Sequence, residues 1–295
     1  MRYAVYLPNF GPFGDAQTLA WLARDAENAG WDGFFIWDHV AGERWPPDMA
    51  DPWVALAAIA LHTRRVRIGA LVTPLPRRRP WKVARETVSV DRLSSGRLIF
   101  GAGTGDGPGE WDDLGEEADP AVRGAMLDEG LAVLDGLWSG EPFSYAGHHY
   151  RVRGAHFLPP PLQTPRIPVW VAGHWSDRAP LRRAPFRRAA RWDGVFPGSW
   201  NPPPEDICAA SEFVRTCRAE AGIDAAQPFD VAVAGMTASD RSEAQAALVP
   251  YAEAGVTWWL ENISPSRTER GSWLGEWPIA RLRARILAGP PEVGM

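Results

Sequence analysis

The stretch Val66–Glu110, VRIGALVTPLPRRRPWKVARETVSVDRLSSGRLIFGAGTGDGPGE, decides the fold. It reads as a strand, a polar loop, a helix and a second strand, followed by glycines at Gly101, Gly103, Gly105, Gly107 and Gly109. Strand and helix in alternation build a parallel sheet. In such sheets, ligands gather at the carboxyl ends of the strands. Both strands here end in loops suited to that, Thr73-Pro74 after the first and the glycine run after the second.

The same rhythm continues on either side. Upstream lie a strand at Tyr3–Leu7, a helix from an Asp15 cap to a Gly30 stop, and a strand at Gly33–Trp37. Asp51-Pro52 then opens a helix with proline at its favoured first position, and Asp119-Pro120 repeats the signal. Downstream, strands are read at Val169–Ala172, Gly194–Phe196, Phe229–Ala234 and Val256–Glu261, each followed by a helix. The helix after Val169–Ala172 is expected to start near Ser176. Residues 141–168, with Pro159-Pro160-Pro161 inside, break the alternation and read as an excursion, a candidate substrate wall or lid. Eight strand–helix units imply one (β/α)8 TIM-barrel domain over 1–295, with an insertion after the fourth helix. An open doubly wound sheet is the alternative, and pairing of the first and last strands separates the two.

Composition narrows the function. The net charge is −5, with no basic run interleaved with aromatics, so nucleic acid is not an expected partner. The longest apolar run, Trp53–Leu61, is too short to cross a bilayer. The chain enters its first strand at RYAVYLP, so the expectation is a cytoplasmic protein without a secretory leader. Cys208 and Cys217 lie nine residues apart on one expected helix, pointing to opposite faces roughly 13 Å apart along the axis, which excludes a disulfide between them.

Polar residues just past the strands are the candidates for chemistry: Asn9, Asp38-His39, Thr73, Thr104-Gly105-Asp106, Gly173-His174 and Glu261-Asn262. His39 can move a proton near neutrality and Asp38 can orient it; a histidine packed in the barrel wall is the plain alternative. The glycine run lets backbone approach a phosphate or a flat ring, but no Gly-Lys-Ser/Thr follows it. Ser176 can cap a helix and leave amides free for an anion. Trp37, Trp45, Trp111, Trp175 and Trp200 suit a flat conjugated ligand. The clusters Arg77-Arg78-Arg79 and Arg182-Arg183 with Arg187-Arg188 read as solvated faces, or else as contacts to an anionic cofactor tail. Pro8-Asn9-Phe10 stands where a metal-dependent barrel hydrolase carries His-x-His, so no metal site is expected.

Together AENAGWDGFFIWDHV (Ala26–Val40), ARETVSVDRLSSGRLIFGAGTG (Ala84–Gly105), FLPPPLQTPRIPVWVAG (Phe157–Gly173) and ARWDGVFP (Ala190–Pro197) resemble the luciferase-like flavin- and deazaflavin-dependent oxidoreductases. That resemblance implies FMN or coenzyme F420 over the strand ends. Val72-Thr73 would lie against the ring, often through a non-proline cis peptide. The phosphate side would fall to Gly103, Thr104, Gly105 and Gly173, His174, Trp175, Ser176. His39, Asp38 and Asp106 would serve the active site, although Asp106 stands where the sugar-phosphate dehydrogenase branch carries glutamate. The implied partners are a small-molecule substrate, a flavin reductase if FMN is loosely held, and a second copy in a homodimer. A non-catalytic flavin-binding barrel and a metal-dependent hydrolase are the alternatives.

Overall fold

The computed structural model describes residues 1–41, 48–105, 108–175, 183–198, 200–267 and 273–291. The barrel wall runs in order β1 (Arg2–Leu7), β2 (Gly33–Ile36), β3 (Arg67–Ala70) with β4 (Thr73–Pro74), β5 (Phe100–Gly103), β8 (Val169–Gly173), β9 (Gly194–Pro197), β10 (Asp230–Gly235) and β11 (Trp258–Asn262). Every pairing among these strands is parallel. The first and last strands pair, with Tyr3 opposite Trp259 and Tyr6 opposite Asn262. That pairing closes the wall into a (β/α)8 barrel and removes the open-sheet alternative.

The sequence signals act locally as expected. Asp15 accepts from Thr18 N at the start of α1 (Ala16–Asn28). Asp51 accepts from Trp53 N and Val54 N before α2 (Pro52–His62), and Asp119 from Ala121 N before α4 (Pro120–Trp138). Between them runs α3 (Pro80–Leu93), and α5 to α8 are Ala184–Ala189, Pro204–Glu220, Arg241–Glu253 and Ile279–Leu287. One boundary differs from expectation: the third barrel strand is split into β3 and β4, with a cis peptide between Leu71 and Val72 at the break. The helix after β8 is described from Ala184, and the start expected near Ser176 lies outside the described residues.

The excursion contains an antiparallel hairpin, β6 (Phe143–Ala146) with β7 (Arg151–Ala155). Its ties run along the outer sides of α3 and α4. The Glu129 carboxylate accepts from the amides of His148, His149 and Tyr150. Arg85 donates to Leu158 O, and the buried Asp91 carboxylate accepts from Leu162 N and Gln163 Nε2. The Tyr150 ring stands edge-on to Trp81 at the start of α3.

Candidate active site

At the carboxyl end of β2 the chain runs on as Trp37-Asp38-His39. Asn9, after β1, fixes this segment from behind: its Nδ2 donates to His39 O and Ala50 O, and its Oδ1 accepts from His39 N. The imidazole Nδ1 then lies 3.1 Å from Oε1 of Glu110, in the short turn Pro108–Glu110 after β5. The same oxygen accepts from Val40 N at 2.8 Å, and Oε2 accepts from Arg77 Nη1 at 2.8 Å. Burial acts against an ionised carboxylate here, but His39, Arg77 and Val40 outweigh it and hold the Glu110 pKa down to about 2.

Asp38 has different partners from those expected. Its carboxylate takes two hydrogen bonds from Arg78 Nη2, at 2.8 and 3.0 Å, and lies 3.6 Å from Arg77. Burial pushes the Asp38 carboxyl up, while the two guanidiniums pull it back. Glu110, not Asp38, therefore meets the His39 ring nitrogen. Arg77 and Arg78 are likewise not a solvated face. Their side chains are 6% and 16% exposed, and Arg77 bridges the two carboxylates. His39 keeps 18% of its side chain exposed, enough to meet a ligand. Asp106 and Trp45 lie outside the described residues.

The ring side of the expected cofactor site is brought together. Thr73 pairs with Ala102 and Pro74 with Gly103, so the residues after the cis peptide lie beside the glycine run. Tyr6 reaches across from β1 and donates to Leu71 O at 2.6 Å; burial holds its phenol far above the ordinary value. Thr73 is fully buried, and its Oγ1 has no hydrogen-bond partner among the described residues. The glycines answer first to the chain's own packing. A Cβ on Gly101 would stand 2.3 Å from Ala70 O, and one on Gly103 would stand 2.4 Å from Val72 Cγ2. Gly105 has φ +84°, and a Cβ there would lie 2.2 Å from Trp111 Cζ2. Trp111 in turn lies between the guanidiniums of Arg123 and Arg77. Thr104 lies within this run, partly exposed.

On the far side, Gly173 ends β8 and its carbonyl accepts from Gly198 N. His174 is exposed beside Gly198, whereas the Trp175 ring turns to Phe186 and Phe213 on α5 and α6. Trp37 and Trp200 do meet at the mouth, 5.6 Å apart, with Tyr6 and Trp273 against them. Glu261, also a candidate, is buried behind the wall, where it accepts from Trp259 Nε1, Thr237 and Arg267. Among the described residues no three His, Cys, Asp or Glu side chains come together as a metal site.

Sequence reasoning missed Glu110, Arg77 and Arg78. The signal was present in the position of Glu110, four residues past Asp106 and at the end of the glycine run.

A family model described as luciferase-like monooxygenase matches residues 1–277. A protein of Mycobacterium tuberculosis described as uncharacterized is 32% identical over 229 residues, covering 72% of this chain and 74% of its own length. An F420-dependent glucose-6-phosphate dehydrogenase of Gordonia bronchialis is 32% identical over 168 residues, which is 54% of this chain and 47% of that protein. In fold, the chain superposes on the crystal structure of the monooxygenase RslO1 from Streptomyces bottropensis with a TM-score of 0.75, at 21% identity and 98% coverage of both chains.

Proposed function

The chain belongs to the luciferase-like monooxygenase family, and from that premise we propose that it is an oxidoreductase working with FMN or coenzyme F420 on a small organic substrate. The observation that carries this reading is the buried chain His39–Glu110–Arg77–Asp38 at the strand ends, next to the Val72-Thr73 and Gly103 cluster. The residues present fit such a cofactor. Thr73 offers a buried hydroxyl that no described residue satisfies, and buried polar groups are otherwise almost always paired. Val72 and Thr73 would lie under the ring, with Gly103, Thr104, Gly105, Gly173 and His174 on the phosphate side. The bound cofactor supplies the electron or hydride transfer.

The protein's part is proton handling. Glu110 is ionised throughout the neutral range, so it draws a proton onto Nδ1 of the imidazole. A neutral His39 then carries its lone pair on Nε2, ready to accept a proton from substrate, and the imidazolium can return one. Glu110 orients this ring, and Arg77 orients Glu110. Asp38 fixes the arginine pair and touches no reacting atom in this reading; we assign it, like Arg77, to positioning. Asp106, outside the described residues, is a candidate acid on the family resemblance alone, and loss of turnover in Asp106→Asn tests it.

If FMN is the cofactor and is held weakly, a separate reductase supplies it reduced. The test is a fluorescence titration of the purified chain with FMN, FAD and F420 side by side. Micromolar binding of FMN or F420 is expected, and binding of neither ends this reading. Replacing His39 with alanine separates an enzyme from a flavin-binding barrel: the parent turns over and the variant loses about 10²–10⁴-fold, whereas a binder shows no turnover in either.

A further inference from the structure

A cleft of about 440 Å³ opens at the rim of the barrel, between the loop after β10, the turn after β11 and the flank of α8. Its walls share no residue with the His39–Glu110 group. Thr237 and Ser239 come from the first loop, Ser266 and Arg267 from the turn, and Arg281 and Arg285 stand one helical turn apart on α8. Behind them Glu261 is fully buried. It accepts from Arg267 Nη1 and lies 3.4 Å from Arg285 Nε, so two guanidiniums share one carboxylate. Both arginine side chains are only 10% exposed, and Arg281, at the lip, adds a third cation. Burial pulls Arg285 below the ordinary arginine range, and the neighbouring Arg267 pulls the same way against Glu261.

Among the described residues, three cations and one anion stand around a partly buried cleft, which leaves positive charge that solvent reaches only in part. Like charges held together out of water are costly unless an anion joins them. Arg267 also donates to Asn262 O and Thr237 O, and Arg285 to Gly289 O and Thr237 Oγ1. The guanidinium N–H groups left over, Arg281, and the hydroxyls of Ser239 and Ser266 can donate to such an anion. Loops after the seventh and eighth strands are also where (β/α)8 barrels commonly bind phosphate. The volume lies in the range of ligand pockets and well exceeds what a bare oxyanion fills. We propose that this cleft is a second binding site, taking the phosphate group of a small phosphorylated organic molecule. It rests on neither the cofactor nor turnover, so it stands or falls apart from the flavin reading.

The test is calorimetry on the cofactor-free full chain with ribose 5-phosphate, ribose and inorganic phosphate at matched ionic strength. Saturable binding of ribose 5-phosphate is expected, inorganic phosphate weaker, and ribose not at all. Arg281→Glu reverses the charge at the lip and should weaken binding about tenfold or more. Ser266→Asp places an anion in the cleft and should abolish it; melting temperatures confirm that both variants fold. The proposal is overturned by no saturable heat from either phosphate, by ribose binding as well as its phosphate, or by both variants binding normally. Displacement of ribose 5-phosphate by riboflavin, which carries no phosphate, also overturns it, because the sugar phosphate then sits in the cofactor mouth.

Discussion

Glu110 is the residue on which the candidate site turns. A carboxylate buried this deeply normally titrates upward, because the charged form loses its hydration. Here Arg77, His39 and two backbone amides replace that hydration, and the pKa falls from 4.5 to about 2. The folded value lies below the unfolded one, so its contribution to stability is full above pH 4.5 and is lost as pH falls toward 2. The shift corresponds to roughly 3 kcal/mol. Urea unfolding measured across that window should show the wild type losing about this much more stability than Glu110→Gln. Parallel pH profiles would show that Glu110 is not held ionised by its partners. The same variant should lower turnover by at least about tenfold, because an amide does not hold His39 in one tautomer. Retained turnover would remove Glu110 from the mechanism. Asp38 was the natural choice from sequence, since adjacency in the chain suggests contact. Neighbouring residues point different ways, however, and a loop residue far along the chain came to the imidazole instead.

Single elements show why some signals were legible and others were not. The caps at Asp15, Asp51 and Asp119 are local, because side chain and amide lie two or three residues apart, and all three hold. The segment Leu93–Arg97, inside the Ala84–Gly105 stretch that carries part of the family resemblance, proves to be a splice. Ser95 and Gly96 take φ of +58° and +81° after α3 ends. Arg97 then reaches back to the carbonyls of Ala60, Thr63 and Val66, the Thr63 hydroxyl and Ser94 O. One guanidinium thus ties the end of α2 to the starts of β3 and β5. Arg97→Met should cost about 3 kcal/mol or more, read as a lowered melting temperature, because it strands several buried carbonyls. An unchanged melting temperature would contradict this. The glycine run was ambiguous for a physical reason: sequence shows that a side chain is missing, not what occupies its space. At Gly105 that space belongs to Trp111, and alanine there should cost about 1–3 kcal/mol through its positive φ alone. Arg77-Arg78 was misread in the same way, since a basic run looks identical whether it meets water or two buried carboxylates.

At the scale of the whole molecule, eight alternating units were readable because each repeats the same local contrast of apolar strand, cap and amphipathic helix. One helix departs from that contrast. The inner face of α2 buries Trp53, Leu56, Ile59 and Ala60. Its outer face carries Val54, Ala57, Ala58 and Leu61, at the spacing that makes a single stripe, with Val54 63% and Leu61 56% exposed. A helix apolar all round belongs in an interior, yet among the described residues α1 and α3 leave Val54 and Leu61 exposed, with Ala57 and Ala58 partly buried between them. The stripe is uncharged and rich in small residues, so a two-fold axis can lay it against itself at close range, as isologous dimers require. The homodimer expected from the family resemblance is therefore argued through α2. Light scattering should give about twice the chain's 32.5 kDa at micromolar concentration. Val54→Asp with Leu61→Asp should give the monomer mass with an unchanged far-ultraviolet spectrum, because both positions face outward and neither supports the core. A wild type that is monomeric at those concentrations, or a double variant that remains dimeric, would show that the stripe has another use.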